Sequence, residues 1–267
     1  MKSISLLGSG WLGLALNSHF QKQSFRVKAS TRTLSRFSQL KEAGATAYLV
    51  DVENQPEDIQ EFLDCDVLIV NITSKIISSY TQLITNIEAS TIRRVLFVSS
   101  TSIYQNTNGE VKESDGLENQ NSPLYQIERQ FMNSPHFQTT VVRMAGLIGP
   151  ARHPGQFFKN NKPIEHPDIS VNLIHQVDCV NIISQIIEQN VWGEVFNACA
   201  GTHPTKRNFY GQAKQCLDLP PPNFVESTVA EYKIVSNQKV RRVLEYKFIY
   251  DDLEILMSPS EQSAFEV

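Results

Sequence analysis

The residues with the clearest chemical meaning stand near the start of the chain, where three glycines follow a short apolar run. The run Ser3–Leu7 is typical of a buried strand, and Trp11–Phe20 carries apolar residues at helical spacing. Between the strand and the helix stands the segment Gly8-Ser9-Gly10-Trp11-Leu12-Gly13. In such a segment the first glycine permits a tight turn, the second lets the backbone approach a ligand closely, and the third lets the helix pack closely on the strand. A helix N-terminus in this place offers N–H groups to an anion. The pattern predicts that these residues bind the pyrophosphate of a dinucleotide, and a glycine turn without a ligand is the alternative.

The end of the second predicted strand indicates which dinucleotide would bind. A carboxylate there accepts hydrogen bonds from the ribose 2′-hydroxyl of NAD, whereas a nearby arginine accommodates the 2′-phosphate of NADP. No carboxylate occurs in Ser30–Thr33, where Arg32 stands between Thr31 and Thr33, and Arg36 follows one helical turn later. Guanidinium groups form paired, charge-assisted hydrogen bonds with phosphate. We therefore predict NADP as the preferred cofactor and NAD as the other candidate; the alternative is that Arg32 is a solvated loop cation.

Two further strand ends carry side chains that could contact the same ligand. Asp51 and Val52 follow the third predicted strand, where adenine would lie, and Asn71 closes the fourth. A turn aspartate and a capping asparagine explain Asp51 and Asn71 equally well. We include all three residues in the predicted cofactor site and leave these alternatives open.

Four motifs stand in a fixed order along the chain and together resemble a known family. They are GSGWLG at Gly8–Gly13, VSSTSIY at Val98–Tyr104, VRMAGLIGP at Val142–Pro150 and NLIHQVD at Asn172–Asp178. The set resembles the extended short-chain dehydrogenase/reductases, the NAD-dependent epimerase/dehydratase family, and especially its atypical members. The resemblance implies a Rossmann domain with a smaller C-terminal substrate lobe, a pyridine nucleotide cofactor, and a substrate that in many relatives is a nucleotide sugar.

The resemblance also implies a set of catalytic residues. Ser100 matches the residue that hydrogen-bonds the substrate oxygen, and Tyr125 falls at the interval where the family places its general acid/base. The family lysine belongs four residues after this tyrosine, but the sequence has Arg129 there. A guanidinium can stabilise a phenolate as a cation, yet it keeps its proton and cannot pass one on. Ser100, Tyr125 and Arg129 are the predicted catalytic residues, and a packing role for Tyr125 is the alternative.

Segments that line the substrate side in the family supply the remaining candidates. The resemblance implies a substrate role for Thr101, Arg143, Arg152 and His175. The alternative for His175 is that it braces the loop before a helix. The histidines of this region lack the spacing of metal ligands, so no metal site is predicted.

The elements that must position these residues alternate along the first half of the chain. Further strands are predicted at Phe25–Ala29, Thr46–Val50, Val67–Val70, Arg94–Val98 and Thr139–Arg143, and further helices at Leu34–Ala43, Ser78–Ala89 and Pro123–Met132. The continuous apolar run Val67–Val70 is typical of a strand covered on both faces. This alternation predicts βαβ units and a doubly wound parallel sheet, an α/β Rossmann fold. The polar stretch Gln105–Asn121 is expected to be a surface loop or a short hairpin.

The second half of the chain is less regular. Glycines and prolines in Gly146–Pro167 predict a loop that lines a site. Beyond it we predict strands at Val171–Ile174 and Glu194–Ala198, and helices at Val177–Ile187 and Pro204–Leu217. The expected organisation is a Rossmann domain at 1–145 and a smaller C-terminal lobe at 146–267, of which about 172–198 packs back on the Rossmann sheet.

Composition disfavours several classes of protein. A net charge of -4 over 267 residues gives no basic surface for nucleic acid or anionic lipid. The four cysteines lie far apart without a Cys-x-x-Cys pair, which fits a reducing cytoplasm: Cys65, Cys179, Cys199 and Cys216. No apolar stretch reaches the length of a membrane span, and glycines interrupt the N-terminal apolar run, unlike a signal peptide. We expect a cytoplasmic monomer or homodimer whose partner is a small-molecule substrate.

Two functions from different classes agree with these observations. The first is an NADP-dependent oxidoreductase or epimerase/dehydratase-type enzyme that acts on a small polar carbonyl or alcohol, and the ordered motifs motivate it. The second is a non-catalytic dinucleotide-binding redox sensor or regulator, which the arginine at position 129 motivates. We favour the enzyme.

Overall fold

A computed structural model of the chain describes residues 2–54, 59–158, 162–226 and 231–266. The chain divides into two compact units that are interleaved along the sequence. The first unit holds Met1–Ile103, Glu118–Arg143 and Ile183–Phe196, and the second holds Tyr104–Leu117, Met144–Ile182 and Asn197–Val267. Each unit therefore combines segments that lie far apart in the sequence.

Strands and helices alternate through most of the described chain. In chain order the strands are β1 (Ser3–Leu7), β2 (Arg26–Thr31), β3 (Thr46–Leu49), β4 (Val67–Val70), β5 (Arg94–Ser100), β6 (Gly109–Val111), β7 (Gln138–Met144), β8 (Gly146–Ile148), β9 (Ile164–Glu165), β10 (Leu173–His175), β11 (Val195–Ala198), β12 (Phe224–Val225) and β13 (Lys233–Val235). The α-helices are α1 (Trp11–Lys22), α2 (Phe37–Glu42), α3 (Gln60–Leu63), α4 (Ile77–Glu88), α5 (Pro123–Met132), α6 (Gln176–Glu188), α7 (Lys206–Gln215), α8 (Gln238–Val243) and α9 (Leu253–Leu256). The predicted α5 matches the observed helix at both ends.

The first unit is built around a seven-stranded parallel sheet with the strand order β3-β2-β1-β4-β5-β7-β11. The order reverses between β1 and β4, because the chain builds outwards from β1 in one direction and then returns to add β4 on the other side. This is the doubly wound Rossmann arrangement, so the predicted α/β fold class is confirmed. In such sheets, ligands bind at the carboxyl ends of the strands where the order reverses.

The core of the first unit forms because its central strands are apolar on both faces. All four residues of Val67–Val70 are buried, as the sequence pattern predicts. Leu83 and Ile87 of α4, with Phe97 of β5 and Phe131 of α5, belong to one apolar cluster and are each at most 1% exposed. Burial of each such side chain contributes about 1.5–3 kcal/mol. The sheet therefore offers a rigid base for the loops at its carboxyl edge.

Two helix starts differ from the sequence predictions. A 3-10 turn at Leu34–Arg36 precedes α2, and Leu34 within it is 67% exposed. Helix α7 begins at Lys206 instead of Pro204. The Thr205 hydroxyl accepts a hydrogen bond from the Asn208 N–H (3.2 Å) and caps the helix. Capping geometry therefore sets the start of α7.

The prediction that Gln105–Asn121 is a surface loop or a short hairpin is correct for most of this segment, which is irregular and exposed, but its one regular strand is not part of a hairpin. It contains β6, which pairs in parallel with β13 in the second unit. Asn108 Oδ1 accepts a hydrogen bond from the N–H of Tyr232, 124 residues later (3.0 Å). A hairpin requires an antiparallel strand close in sequence, whereas the partner of β6 is parallel and distant. The residues around β6 therefore carry no sequence pattern that reveals this pairing.

Small parallel strand pairs and helix α7 build the rest of the second unit. Strand β8 pairs with β10, and β9 pairs with β12, so two short strands lie within the predicted loop Gly146–Pro167. Phe209 and Ala213 of α7 pack with Leu253 and Leu256 of α9 in an apolar core. None of the helices in the described ranges is long and apolar enough to cross a membrane.

Candidate functional site

A cavity of about 620 Å³ opens at the carboxyl ends of β1, β2, β3 and β4 in the first unit. It lies where the strand order reverses. Predicted cofactor residues from four separate segments line it: Gly8, Ser9, Gly10, Thr31, Arg32, Thr33, Asp51, Val52 and Asn71. The fold therefore brings together most of the side chains and backbone groups that the sequence assigns to one ligand.

Each of the three glycines has a separate geometric reason in the loop between β1 and α1. Gly8 has a φ of +100°, and a Cβ there would lie 2.2 Å from the Asn71 carbonyl oxygen. A Cβ on Gly13 would lie 2.2 Å from the Gly8 carbonyl oxygen, so α1 could not pack so closely. A Cβ on Gly10 would meet no atom of the described chain within 4 Å. Gly8 and Gly13 are required by the fold, whereas Gly10 keeps backbone accessible to a ligand.

The start of α1 offers the groups that a pyrophosphate requires. All residues of the first turn of α1 are described, and this turn has no side-chain cap and no acidic residue. Its N-terminal dipole is therefore directed at the cavity without a competing charge. Ser9 is 2% exposed, and its hydroxyl has no hydrogen-bond partner among the described residues. Leu12 is buried behind the loop and Trp11, half-buried, begins the helix. This arrangement fits a bound dinucleotide phosphate.

Four contacts hold the glycine loop in place. The Gly8 N–H donates to Ser30 Oγ (2.9 Å), and the Ser9 N–H donates to the Ser30 carbonyl (3.2 Å). The Asn71 amide donates to the Gly8 carbonyl (3.1 Å), so this side chain braces the loop. Arg36 Nη2 donates to the Ser9 carbonyl (2.8 Å). Ser30 and Arg36 were absent from the predicted site, although Arg36 had a signal in its position one turn beyond Arg32.

The loop after β2 presents a cation to the same cavity. Arg32 is exposed, lines the cavity and makes no hydrogen bond or ion pair within the described ranges. Thr33 is exposed beside it, and the Thr31 hydroxyl accepts a weak hydrogen bond from the Thr33 N–H (3.3 Å). Asp51 accepts a hydrogen bond from the Glu53 N–H (3.1 Å), so it forms a turn and also lines the cavity. The turn is therefore observed, and contact of Asp51 with a cofactor stays a prediction.

A second group of polar residues is buried between β5, α5 and β7 in the first unit. Arg143 of β7 is 3% exposed and donates to Glu118 (Nη1 to Oε1, 2.6 Å). It also donates to both oxygens of Glu128, with an Nη2–Oε2 distance of 2.8 Å. A further hydrogen bond joins Ser99 Oγ to Glu128 Oε1. Arg143, predicted to contact substrate, is thus engaged by two buried carboxyl groups.

Of the predicted catalytic residues, Tyr125 contacts this group. Tyr125 is half-buried, and its ring centroid lies 6.0 Å from the Arg143 guanidinium carbon. Ser100 is half-buried at the end of β5, and its hydroxyl accepts from the Ser102 N–H (3.1 Å). Arg129 is exposed, and its side chain makes no ion pair with any described residue. The described cation–ring contact of Tyr125 is therefore with Arg143, which the resemblance assigned to the substrate side.

Burial dominates the electrostatics of Glu128. It is 2% exposed, and this burial raises the pKa of Glu128, against the opposing effect of the hydrogen bonds from Arg143. Sequence reasoning missed Glu128. A signal was present, because Glu128 lies beside Ile127 and three residues before Phe131, on the buried side of α5. An acidic residue on such a side requires a buried partner.

The remaining predicted substrate residues have varied surroundings. Thr101 is buried in the turn after β5 in the first unit. In the second unit Arg152 is exposed, with its guanidinium carbon 6.0 Å from the Phe157 ring centroid. His175 is fully buried, and its Nδ1 accepts from the Val177 N–H (3.2 Å), while Nε2 faces the Ala264 carbonyl (2.9 Å). These contacts require a neutral ring, and burial lowers the pKa of His175 accordingly. His175 braces this part of the second unit.

Three known proteins are similar to this chain over nearly its whole length. Protein YeeZ of Escherichia coli K12 is 29% identical over 268 residues, which cover 94% of this chain and 97% of that protein. A conserved protein of unknown function from Silicibacter pomeroyi has a TM-score of 0.83 at 19% identity, with full coverage of both chains. UDP-glucuronic acid 4-epimerase of Bacillus cereus, solved with UDP-glucuronic acid and NAD, has a TM-score of 0.76 at 16% identity and 96% coverage of each chain.

The sequence profile of a nucleotide-binding family agrees with the cavity geometry. It matches residues 8–182, which begin at the first glycine of the loop and extend into α6. It agrees with the predicted nicotinamide dinucleotide as the cofactor, and the solved structures above share the fold of this chain. The chain belongs to the NAD(P)H-binding family.

Proposed function

We propose that the protein is an NADP(H)-dependent oxidoreductase or epimerase/dehydratase-type enzyme that acts on a small polar carbonyl or alcohol. The observation that carries the proposal is the glycine-loop cavity, whose rim after β2 bears Arg32 and no carboxylate. In this site the α1 N-terminus and Ser9 would hold the pyrophosphate, and Arg32 would hold the 2′-phosphate. The coenzyme supplies or accepts the hydride.

The residues at the end of β5 and on α5 support the enzymatic part of the proposal. Tyr125 would exchange a proton with the substrate oxygen, and Ser100 would hold that oxygen by a hydrogen bond. No hydrogen bond joins these two residues within the described structure, and catalytic hydrogen bonds are often long until substrate binds. Nucleotide sugars are the first substrate class to test, since the similar epimerase was solved with UDP-glucuronic acid.

The preference for NADP(H) depends on one side chain and is directly testable. We expect Arg32→Ala to weaken NADPH binding by about 10- to 100-fold, because a hydrogen bond to a charged group contributes about 1.5–3 kcal/mol. NADH affinity should change by less than about twofold, because NADH has no 2′-phosphate. Titration calorimetry with both coenzymes measures this difference.

Arg36 is the matched control for this substitution. Its guanidinium holds the Ser9 carbonyl, so Arg36→Ala should weaken NADPH and NADH binding alike. Equal losses of NADPH and NADH affinity in Arg32→Ala would contradict the assignment of Arg32. Tighter binding of NADH than NADPH to the unaltered protein would refute the NADP preference itself.

A second candidate function is a dinucleotide-binding sensor or regulator without turnover. The observation that favours it is the exposed Arg129 at the position of the family lysine. Arg129→Lys separates the two functions, because an ammonium can take part in proton transfer and a guanidinium cannot. In an enzyme this variant should raise turnover, and in a sensor it should consume no more NADPH than the wild type.

The test of the proposed function has two stages. Calorimetry with NADPH and NADH comes first, and absence of binding of both coenzymes would remove both candidate functions. A panel of UDP-sugars, aldehydes and ketones is then followed by NADPH absorbance, with epimerisation of UDP-sugars monitored by chromatography. Binding of NADPH without conversion of any of these classes would favour the sensor.

A further inference from the structure

The cluster of Glu118, Arg143 and Glu128 contains two carboxyl groups and one guanidinium. Arg143 is 3%, Glu128 2% and Glu118 5% exposed, so solvent reaches none of them freely. The salt-bridge distances are 2.6 Å from Arg143 to Glu118 and 2.8 Å from Arg143 to Glu128. With both carboxyl groups ionised, one negative charge in the cluster has no matching cation.

An unmatched charge in such a place is costly. The effective penalty for a buried ion is several kcal/mol, and two carboxyl groups at one site tend to share a proton instead of both ionising. The described side-chain contacts of Glu128 are with Arg143 and Ser99, and Glu118 shares Arg143 with it, so Arg143 supplies the positive charge of the described cluster. Burial raises the pKa of Glu128 in agreement with this count. The geometry and the charge balance both favour a bound proton.

The location of this proton relates it to the proposed reaction. Tyr125 and Glu128 are three residues apart on α5 and therefore lie on the same side of the helix. A serine hydroxyl can accept a hydrogen bond as readily as it donates one, so Ser99 can receive the proton of Glu128. Arg129, at the position of the family lysine, is exposed and cannot release a proton.

We propose that Glu128 holds a proton at neutral pH and returns it to Tyr125 after each proton transfer to substrate. Only the second part of this inference, the return of the proton to Tyr125, rests on the proposed function. When a carbonyl is reduced, the substrate oxygen takes the Tyr125 proton and the Tyr125 oxygen takes one from Glu128. Glu128 is then reprotonated from water as the product leaves. Glu128 acts through Tyr125 and is a positioning and proton-holding residue.

The bound proton is tested by the pH dependence of stability in Glu128→Gln. A group with a raised pKa in the folded state keeps its proton there while the unfolded chain, with a glutamate pKa of about 4.3, loses it. As pH rises above that value, the folded-to-unfolded ratio of wild type should fall relative to the variant, by up to about tenfold per pH unit. Urea unfolding at pH 4.5 to 8 measures this ratio.

The exposed Glu42 provides the matched control. Glu42→Gln makes the same chemical change at the end of α2 and should follow the wild-type profile. If the wild-type ratio rises with pH relative to Glu128→Gln, Glu128 is ionised in the folded protein and the proposal is overturned. Should Glu128→Gln not fold, infrared spectra of wild type with ¹³C-labelled glutamate decide the question. A protonated-carboxyl band at pH 7 supports the proposal, and its absence overturns it.

The role in proton return has its own measurement. Glu128→Gln should bind NADPH within about twofold of wild type, since Glu128 is not among the cavity-lining residues. Its turnover of a carbonyl found in the panel should fall at least about tenfold, in the range of general acid–base effects. Unchanged turnover would overturn this role. The stability and infrared measurements require no coenzyme, so failure of the proposed function is distinguishable from failure of this inference.

Discussion

Gly10→Ala should abolish most coenzyme binding while the protein stays folded. A Cβ on Gly10 meets no described atom within 4 Å, so the methyl group projects into open space at the cavity without strain. It would occupy the position where backbone must approach the pyrophosphate. We expect affinity for NADPH and NADH to fall by at least about a hundredfold, equivalent to about 2.8 kcal/mol. Calorimetry gives the affinity, and urea unfolding gives the stability.

Substitutions at other glycines distinguish an effect on coenzyme binding from an effect on stability. Gly8→Ala and Gly13→Ala place a Cβ 2.2 Å from backbone oxygens, so they should cost about 1–3 kcal/mol or more of unfolding free energy. Gly211→Ala, at an open position within α7, should leave binding unchanged and raise stability by about 0.5–1 kcal/mol. Wild-type affinity in Gly10→Ala would disprove the placement of the pyrophosphate at this loop.

Arg143→Met should destabilise the protein by about 3–5 kcal/mol, the cost of breaking a buried ion pair from one side. The substitution keeps an apolar side chain of similar length but leaves Glu118 and Glu128 buried without a cation. Because burial of a carboxylate without its cation favours the protonated form, the loss should be smaller at pH 5 than at pH 8. Urea unfolding at both pH values measures the difference.

Arg129→Met is the corresponding control. Arg129 is exposed, and we expect its replacement to change stability by less than about 0.5 kcal/mol at either pH. Arg143→Lys should also be costly, because an ammonium cannot reproduce the paired contacts with Glu128. A loss below about 1 kcal/mol in Arg143→Met would show that the cluster is not a closed ion-pair site.

The coenzyme end of the site was predictable because its signals are local. The glycine spacing, the strand before it and the helix after it are all contained in the first 22 residues. Asp51 and Asn71 were also predictable, since the parallel strands β3 and β4 must end at one edge of the sheet. The bounds of α5 followed from its proline at the first position and its buried stripe.

Other features depend on contacts that the sequence does not reveal. The position of Arg143 near the substrate-side motif suggested a ligand role, whereas its carboxyl partners come from a loop and from α5. Ser30 supports the glycine loop through hydrogen bonds to Gly8 and Ser9, and Arg36 through one to the Ser9 carbonyl, and the sequence does not reveal these contacts. The pairing of β6 with β13 joins segments more than a hundred residues apart. Such long-range partners decide which polar residue is structural and which faces a ligand.

That pairing of β6 with β13 has a consequence for how the protein is made. Strand β6 leaves the ribosome more than a hundred residues before its partner β13. Until then the backbone of Gly109–Val111 lacks the strand that pairs with it in the native second unit, and an unpaired strand can join another chain. Contacts of such high sequence separation also slow folding. Completion of the second unit is therefore a late event, and protection of β6 from aggregation matters most before β13 has been synthesised.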